Sequence, residues 1–253
     1  MNKTVWKPIK EIEYLLRDKS KFTILSCCLC ANLSGTGGTP GIKTMKRIIK
    51  TLNKKVVKSK NLLVCCEEYI MKQALEKYRK AISKSDALIL LCCAGGVKTA
   101  FICNPGLPVI SPLDPVGSVS VTHKENAVAR SICKVCGSCV ISYTGGICPI
   151  SDCPVKSKYG PCKKAPVKGT KCAVDPQRDC VWKEIEKIGN PKELVQLRKI
   201  HKARAREDPV QDDSLNNPIT YEKRGERAPA LKKTLAWFTV RIPFIEKVVG
   251  VFR

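Results

Sequence analysis

Apolar and polar residues follow two different periods along the first half of the chain. Short apolar runs predict buried strands, and stretches with apolar residues three or four positions apart predict amphipathic helices. The predicted strands are 22–26, 61–64, 87–91 and 108–111, and the predicted helices are 9–16, 42–52 and 69–82. Because strands that alternate with helices form a parallel sheet, we expect an α/β fold with a Rossmann-like parallel sheet.

This regular pattern ends near residue 131. From 131 to 182, eight cysteines are spaced among glycines and prolines, and such a segment needs bound cofactors to hold it together. After a predicted helix at 184–188, with more helix predicted over 191–200, the chain is polar over 202–227, and we expect disorder there. The last segment, 231–252, is interpreted as a helix that docks on its own domain or a partner, with binding to a membrane surface as the alternative.

Three domains are therefore predicted. Residues 1–130 form a Rossmann-like α/β domain with cysteines at its strand ends. Residues 131–182 form a loop-rich cysteine cluster module, which we expect to bind metal or iron-sulfur. Residues 183–253 form a basic, helical and partly disordered C-terminal tail.

The number of cysteines changes this picture, because 16 of the 253 residues are Cys and only two are His. A secreted disulfide-rich protein would begin with a signal peptide, but residues 1–21 lack a continuous apolar stretch. The longest uncharged apolar run, 87–97, is shorter than the roughly 20 residues of a membrane span. We therefore expect a soluble, cytoplasmic protein whose reduced thiols bind metal or iron-sulfur.

The chain is strongly basic, with 46 Lys and Arg against 22 Asp and Glu and a formal net charge of +24. Such a charge fits solvated helix faces or an anionic partner. Aromatic residues make up only 6% of the chain, and the sequence has no helix-turn-helix, RNP or Cys/His finger pattern. These features argue against nucleic acid, which we keep as an alternative partner.

The strongest local motif is Cys133-x2-Cys136-x2-Cys139, whose spacing equals that of the first three cluster ligands of bacterial ferredoxins. The fourth ligand is open, since Cys148 and Cys153 both precede a proline. Iron-sulfur is favoured because a triplet suits a cubane, and a four-cysteine zinc site is the alternative. The metal ligands predicted in this module are Cys133, Cys136, Cys139, Cys148, Cys153, Cys162, Cys172 and Cys180.

A second set of candidate ligands follows the predicted strands. The carboxyl ends of parallel strands meet at one edge of a sheet, where ligands collect. We therefore expect Cys27, Cys30, Cys66 and Cys93 to converge on one cluster or zinc ion, and Gly37, Gly38, Gly95 and Gly96 to bind the cofactor through backbone N–H groups. Ordinary burial of cysteine in a core is the alternative.

Catalytic motifs are missing from the sequence. It has no Gly-x-Gly-x-x-Gly after a strand, no Walker loop and no Ser-His-Asp set, so we predict no catalytic residue. A structural role is favoured for His123. Lys98 and Thr99 are candidates for binding phosphate or carboxylate, although the first turn of a helix explains them equally well.

Several of these motifs occur together in one order. They are Cys27-x2-Cys30-Ala31, Thr36-Gly37-Gly38, Cys66-Glu67-Glu68, Cys93-x2-Gly96-Val97-x-Thr99, Cys133-x2-Cys136-x2-Cys139, Thr144-Gly145-Gly146-Ile147-Cys148-Pro149, Gly160-Pro161-Cys162 and Cys172-x-Val174-Asp175-Pro176-x-x-Asp179-Cys180-x-Trp182. With this order the chain resembles, over about residues 8–200, the MetV-type small subunit of methylenetetrahydrofolate reductase, also called the reductase C-terminal zinc/iron-sulfur domain family.

The resemblance implies an iron-sulfur electron-transfer subunit of an oxidoreductase, itself non-catalytic, in the methyl branch of one-carbon metabolism. Its partner would be a TIM-barrel catalytic subunit carrying FMN or FAD, with further electron-transfer subunits also implied. The implied cofactors are one or two [4Fe-4S] clusters, with zinc as an alternative. A competing hypothesis is a zinc-binding structural or assembly module of a methyltransferase or reductase complex. Ser34 stands where the family has a cysteine, and Cys28 is a candidate replacement.

Overall fold

Helices and strands alternate through the first 118 residues of the computed structural model, which describes residues 2–118, 133–167, 169–204, 237, 240 and 241. The strands are β1 (Asn2–Trp6), β2 (Lys21–Cys27), β3 (Lys55–Leu62), β4 (Ala87–Leu91), β5 (Val109–Ile110) and β6 (Leu113–Ser118). The helices are α1 (Ile9–Leu16), α2 (Cys30–Leu33), α3 (Gly38–Thr51), α4 (Glu68–Lys77), α5 (Arg79–Ile82), α6 (Ala94–Ile102), α7 (Pro149–Asp152), α8 (Val181–Ile188) and α9 (Leu194–Arg204), and a short 3-10 helix covers Pro191–Glu193.

Four parallel strands form the main sheet in the order β3-β2-β4-β5. Every residue of β4 is buried, and so is every residue of β2 after Lys21. Consecutive buried residues point to opposite faces of a strand, so both faces of the sheet are covered. The predicted α/β fold with a Rossmann-like parallel sheet is confirmed. The strand order reverses direction between β2 and β4, which is where ligands collect in such sheets.

The main core lies around the central strands. Phe22, Ile24 and Leu25 of β2 have no exposed surface, and Met45 of α3 is equally buried. Met45 and Ile49 both belong to the apolar stripe that predicts this helix. Apolar spacing along the sequence therefore reports directly which helix faces pack on the sheet.

Two predicted elements differ most from those in the structure. The second parallel strand begins at Lys55 rather than at residue 61. Because β3 lies at one end of the sheet, polar side chains such as Lys58 remain exposed and hide the apolar pattern. The single helix predicted over 69–82 is two helices, since the backbone at Tyr78 departs from helical geometry.

A small antiparallel sheet was not predicted. It pairs β1 with β6, which are more than a hundred residues apart in the chain. Neither strand is a continuous apolar run, and only tertiary folding brings the two together. The strand-like segment 119–122 and His123 lie outside the described residues.

A second core forms around α8 and α9. Its largest member is Trp182, with Ile185, Leu194 and Leu197 packed beside it. The disorder predicted from residue 202 is wrong for 202–204, which continue α9, and the remainder of that stretch lies outside the description. The proposed division into domains at 130 and 182 stays a prediction.

Part of the C-terminal segment contacts the first half of the chain. Val240 is buried in the main core, its carbonyl accepts a hydrogen bond from Lys77, and Arg241 lies 3.7 Å from a carboxylate oxygen of Glu76 in α4. These contacts agree with a segment that docks on its own chain. Across the described stretches, every helix is too short or too polar to cross a membrane.

Candidate metal centres

The first set of cysteines lies at the carboxyl edge of the main sheet. Cys27 ends β2, Cys30 begins α2, Cys66 follows β3 and Cys93 immediately precedes α6. The Cys66 thiol is close enough to interact electrostatically with each of the other three thiols. The thiol of Cys30 likewise interacts with Cys27 and Cys93. The parallel strands therefore bring these four side chains to one place.

Within this set, the thiols of Cys27, Cys30 and Cys66 are protonated at neutral pH when nothing binds them, because their pKa values are raised. Burial, followed by the nearby thiol of Cys93, raises the pKa of Cys66 to about 12. Burial also raises the pKa of Cys30. Because thiolates are the ligands of soft metals, binding of a metal or cluster must displace these protons.

A second layer of thiols lies behind the first. Cys65 shares hydrogen bonds with the thiols of Cys27 and Cys92. Two glycines of α6 separate the layers, since a Cβ atom at Gly96 would lie 2.7 Å from both Cys65 Cβ and Cys92 Sγ. Cys65 and Cys92 are not among the predicted ligands, although each of them precedes one in a Cys-Cys pair after a predicted strand, and these pairs were the available signal.

The other predicted glycines serve the packing of α2. A Cβ atom at Gly37 would lie 2.6 Å from the carbonyl oxygen of Cys27. At Gly38, where φ is +59°, it would lie 2.1 Å from Oδ1 of Asn32. Close approach and left-handed backbone therefore explain both glycines, and their contact with a cofactor stays a prediction.

Ser34, at the position where the resemblance leads us to expect a cysteine, links α2 to the first strand. Its hydroxyl donates to the carbonyl of Cys30 at 2.9 Å and accepts from the N–H of Thr4 at 3.1 Å. Cys28 is buried, and its own N–H donates to the carbonyl of Leu62. The residue at position 34 thus helps to hold the backbone of a candidate ligand.

The two candidate anion-binding residues of α6 have structural partners. The hydroxyl of Thr99 donates to the carbonyls of Gly95 at 3.0 Å and of Cys66 at 3.4 Å. The ammonium group of Lys98 lies 3.9 Å from Oδ2 of Asp152. Thr99 therefore ties the loop that carries Cys66 to α6.

The second set comprises four cysteines that line one cleft: Cys133, Cys136, Cys139 and Cys148. The cleft encloses about 420 Å³, including its part open to solvent. Cys153 does not line it. Of the two candidates for the fourth position of the ferredoxin-like motif, the structure therefore brings Cys148 to the first three.

The backbone of this motif is bent so that N–H groups face sulfur. Val135 has φ of +45° and Gly137 has φ of +63°. The N–H of Val135 donates to Sγ of Cys133 at 3.4 Å. A β-branched residue rarely adopts this left-handed geometry. Such turns form nests of N–H groups that bind anions, and iron-sulfur clusters are among their ligands.

Positive side chains surround the second set. Lys98, Lys134 and Lys158 line the cleft, and Nζ of Lys158 lies 3.4 Å from Sγ of Cys136. Burial raises the pKa of Cys133 to about 11, and it raises the pKa of Cys139 to about 12 although the cation of Lys7 opposes this. The cleft therefore combines soft donors with positive charge, which suits an anionic thiolate-bound group.

The remaining four cysteines of the loop-rich module form a third set. Cys153, Cys162, Cys172 and Cys180 line a separate cleft of about 300 Å³, again including space open to solvent. Trp182 closes one side of it, and its indole N–H donates to the carbonyl of Ser157 at 3.0 Å. The sequence indicated eight ligands here but not their division into four and four.

The first and second sets are neighbours. The thiol of Cys133 interacts electrostatically with that of Cys93. Ala94 and Lys98, on the helix that follows Cys93, also line the cleft of the second set. The two groups of four thiols therefore lie close together, with the start of α6 between them.

The spacing of the thiols bears on what they can hold. Within the described ranges, no three Cys, His, Asp or Glu side chains are arranged to hold a single metal ion. A zinc ion needs its four thiolates about 2.3 Å from one point. The thiols of the second and third sets instead surround clefts. Such all-thiol sites fit iron-sulfur clusters, or zinc if the four thiols move closer together.

The fold and these clefts define the class of the molecule: an α/β protein that carries all-cysteine sites at the edge of a parallel sheet and in a loop-rich module. Residues 117–207 match a family described as methylene-tetrahydrofolate reductase C terminal, which links this segment to methylenetetrahydrofolate reductase. The segment covers about a third of the chain and contains the second and third sets. No curated protein and no solved structure matches the chain.

Proposed function

We propose that this chain is an iron-sulfur electron-transfer subunit of the MetV type, which passes electrons to a flavin-bearing methylenetetrahydrofolate reductase subunit. The observation that carries the proposal is the proximity of two four-cysteine groups, through Cys93 and Cys133. Adjacent redox centres are what an electron relay requires. The family match at 117–207 supports the link to the reductase.

The surroundings of the second set favour a cluster. Four thiolates and a [4Fe-4S] core together carry about two negative charges and exchange one electron at a time. Lys98, Lys134 and Lys158 line the cleft and offset that charge. The N–H of Val135 already donates to a sulfur of the motif, as cluster ligation demands. Cleft, charge and backbone all suit a cofactor of several atoms.

Exposure distinguishes the three sets. Cys66 of the first set is an exposed residue although its thiol is desolvated, and Cys136 of the second set is exposed, so each set has one side from which a partner could exchange electrons. In the third set Cys153, Cys172 and Cys180 are all buried. That burial suits a structural site, and we propose zinc for the third set and clusters for the first two.

A flavin-bearing TIM-barrel subunit, with FMN or FAD, is the proposed partner. The roles assigned to residues of this chain are binding, orientation and relay, and none is assigned as catalytic. We propose the cytoplasm as the compartment, because reduced thiols persist there.

The proposal is tested on full-length protein purified anaerobically, with iron, acid-labile sulfide and zinc measured per chain and EPR recorded after dithionite reduction. We expect about two [4Fe-4S] clusters and one zinc ion. Cys66→Ser and Cys136→Ser should each remove one cluster. Cys103→Ser is the matched control, since Cys103 belongs to none of the three sets. Zinc alone, with no EPR signal, would overturn the electron-transfer proposal in favour of a zinc assembly module.

The partner is tested by identifying the proteins that co-purify with the tagged chain and by assaying reduction of methylene-tetrahydrofolate. We expect a flavoprotein to co-purify and the assay to depend on the chain's clusters. Binding to nucleic acid at low ionic strength, without any flavoprotein, would contradict this partner, because phosphate-driven affinity is largest under those conditions.

A further inference from the structure

A buried ammonium group lies directly beneath the second set of cysteines. The side chain of Lys7 is only 2% exposed, yet it belongs to the short segment between β1 and α1. Its Nζ donates to the carboxylates of Glu11 at 2.6 Å and Asp114 at 2.8 Å, and to the carbonyl of Cys139 at 3.1 Å. All three hydrogens of the ammonium group are thus used, and one reaches the backbone of a candidate cluster ligand.

Asp114 approaches the same ligand from the small antiparallel sheet. Its Oδ1 accepts both from Lys7 and from the N–H of Cys139, the latter at 2.8 Å. The two charged groups therefore hold the backbone of Cys139 on both sides of its Cα atom. The other two cysteines of the triplet, Cys133 and Cys136, receive no comparable pair of contacts among the described residues.

Such an arrangement is costly to the fold. Transfer of charged groups out of water carries a penalty that apolar residues of the same volume would avoid. The network also extends to α9, where Nε2 of His201 lies 3.0 Å from Oε1 of Glu11 and Nδ1 lies 2.8 Å from the hydroxyl of Tyr159. The placement of opposite charges on a single ligand residue indicates a role beyond packing.

We propose that Lys7 and Asp114 are positioning residues of the second cysteine set, which orient Cys139 and set the reduction potential of the cofactor bound there. The inference rests on the proposed iron-sulfur function. A cation next to a cluster stabilises its reduced, more negative form, and an anion destabilises it. The two residues therefore act on the potential in opposite directions.

The opposite signs of the expected shifts in reduction potential distinguish this role from a structural one. Lys7→Met should make the potential more negative, and Asp114→Asn, which keeps an acceptor for the N–H of Cys139, should make it more positive. We expect about a tenfold change in the reduction equilibrium for each, equivalent to about 59 mV for one electron. The double variant should return close to the wild-type potential, because it removes one charge of each sign.

The experiment is an EPR-monitored redox titration of anaerobically purified full-length protein, reduced stepwise with dithionite. The relevant signal is the one that Cys136→Ser abolishes. Lys54→Met is the matched control, since Lys54 donates to the carbonyls of Leu16 and Arg17 at the opposite edge of the sheet. It should leave this potential unchanged.

The outcomes distinguish the two proposals. Absence of any cluster signal in the wild-type protein would refute the proposed function. A wild-type signal together with equal shifts in both single variants, or no shift in either, would overturn only the role of Lys7 and Asp114. If Lys7→Met does not fold, Asp114→Asn and the double variant decide the question, because the double variant removes one charge of each sign and Glu11 keeps its hydrogen bond with His201.

Discussion

The two regions that carry cysteines are built on different principles. At the sheet edge, Cys27, Cys66 and Cys93 end or follow parallel strands that are hydrogen-bonded to one another, of which β4 and all of β2 after Lys21 are buried. In the loop-rich module, the described residues of 133–180 contain one four-residue helix and a single isolated bridge, Lys171 with Asp179. We expect the fold of the first region to hold its thiols in place, and the loops of the second region to depend on cofactors bound to their thiols.

The two regions should therefore differ in how strongly cofactor binding is coupled to folding. A metal or cluster at the sheet edge would bind to ligands that are already in position. Its binding free energy would therefore not be reduced by the cost of folding this region. If the loop-rich module binds the proposed cofactors, their binding free energy would also be folding free energy, as in small zinc domains. Loss of the cofactors should therefore leave one region intact and unfold the other.

The largest expected effect is that of removing all metal and iron-sulfur. Chelation under oxidising conditions, followed by hydrogen exchange read by mass spectrometry, should show loss of protection over 133–180 and retained protection in β2 and β4. The buried apolar strands retain their own core, whereas the loops lose their cross-links. Equal loss of protection in both regions would show that the sheet needs bound cofactors as much as the loop-rich module does.

Stability of the sheet itself should depend on its core. Ile24→Ala removes a fully buried side chain of β2 and should lower the free energy of unfolding by about 2–5 kcal/mol. Ile102→Ala at the end of α6 is the control, because that side chain is 52% exposed and should cost little. Urea denaturation of the metal-free protein provides the measurement. Similar costs for the two variants would mean that the sheet is not independently folded.

Glu11 connects the N-terminal helix to α9, and its effect should depend on pH. Burial would raise its pKa, but the hydrogen bond with His201 and the charge of Lys7 lower it to about 2. A carboxyl whose pKa falls on folding stabilises the protein above its unfolded pKa, and the stabilisation disappears as the pH falls towards the folded value. Glu11→Gln should therefore cost on the order of 3 kcal/mol above pH 5.

This cost should shrink as the pH falls from about 4.5 towards 2, as measured by the difference in urea midpoints between wild type and variant. Glu13→Gln is the matched control, because Glu13 is exposed on the same helix. A difference that stays constant down to pH 3 would contradict the assigned role of the carboxylate.

The smallest expected effects test whether the thiols at the sheet edge form two layers. Gly96→Ala should destabilise the protein by about 1–3 kcal/mol, since the new Cβ would lie 2.7 Å from Cys65 and Cys92. Gly95→Ala should be neutral or stabilising by up to about 1 kcal/mol, because its Cβ would meet Cys66 only at 3.5 Å and alanine favours helices. Thermal unfolding compares the pair, and equal melting temperatures would argue against two layers.

Much of the sheet was predictable because local patterns report it. The strand Ala87–Leu91 and the helix Ile9–Leu16 have the predicted bounds. The start of β3 was missed because lysines on an end strand break the apolar run, and the pairing of β1 with β6 was missed because it is long-range. The strand-end cysteines were predictable for the same reason as the sheet: parallel strands end at one edge.

Residue types and spacing were enough to predict a parallel sheet, a loop-rich cysteine module and all-thiol sites, because period and ligand spacing are local properties of the chain. Only the tertiary structure assigned Cys148 to the cleft of the triplet and Cys153 to another, and only it placed Lys7 and Asp114 against Cys139. Those choices depend on contacts between residues up to 132 positions apart, which no local pattern records.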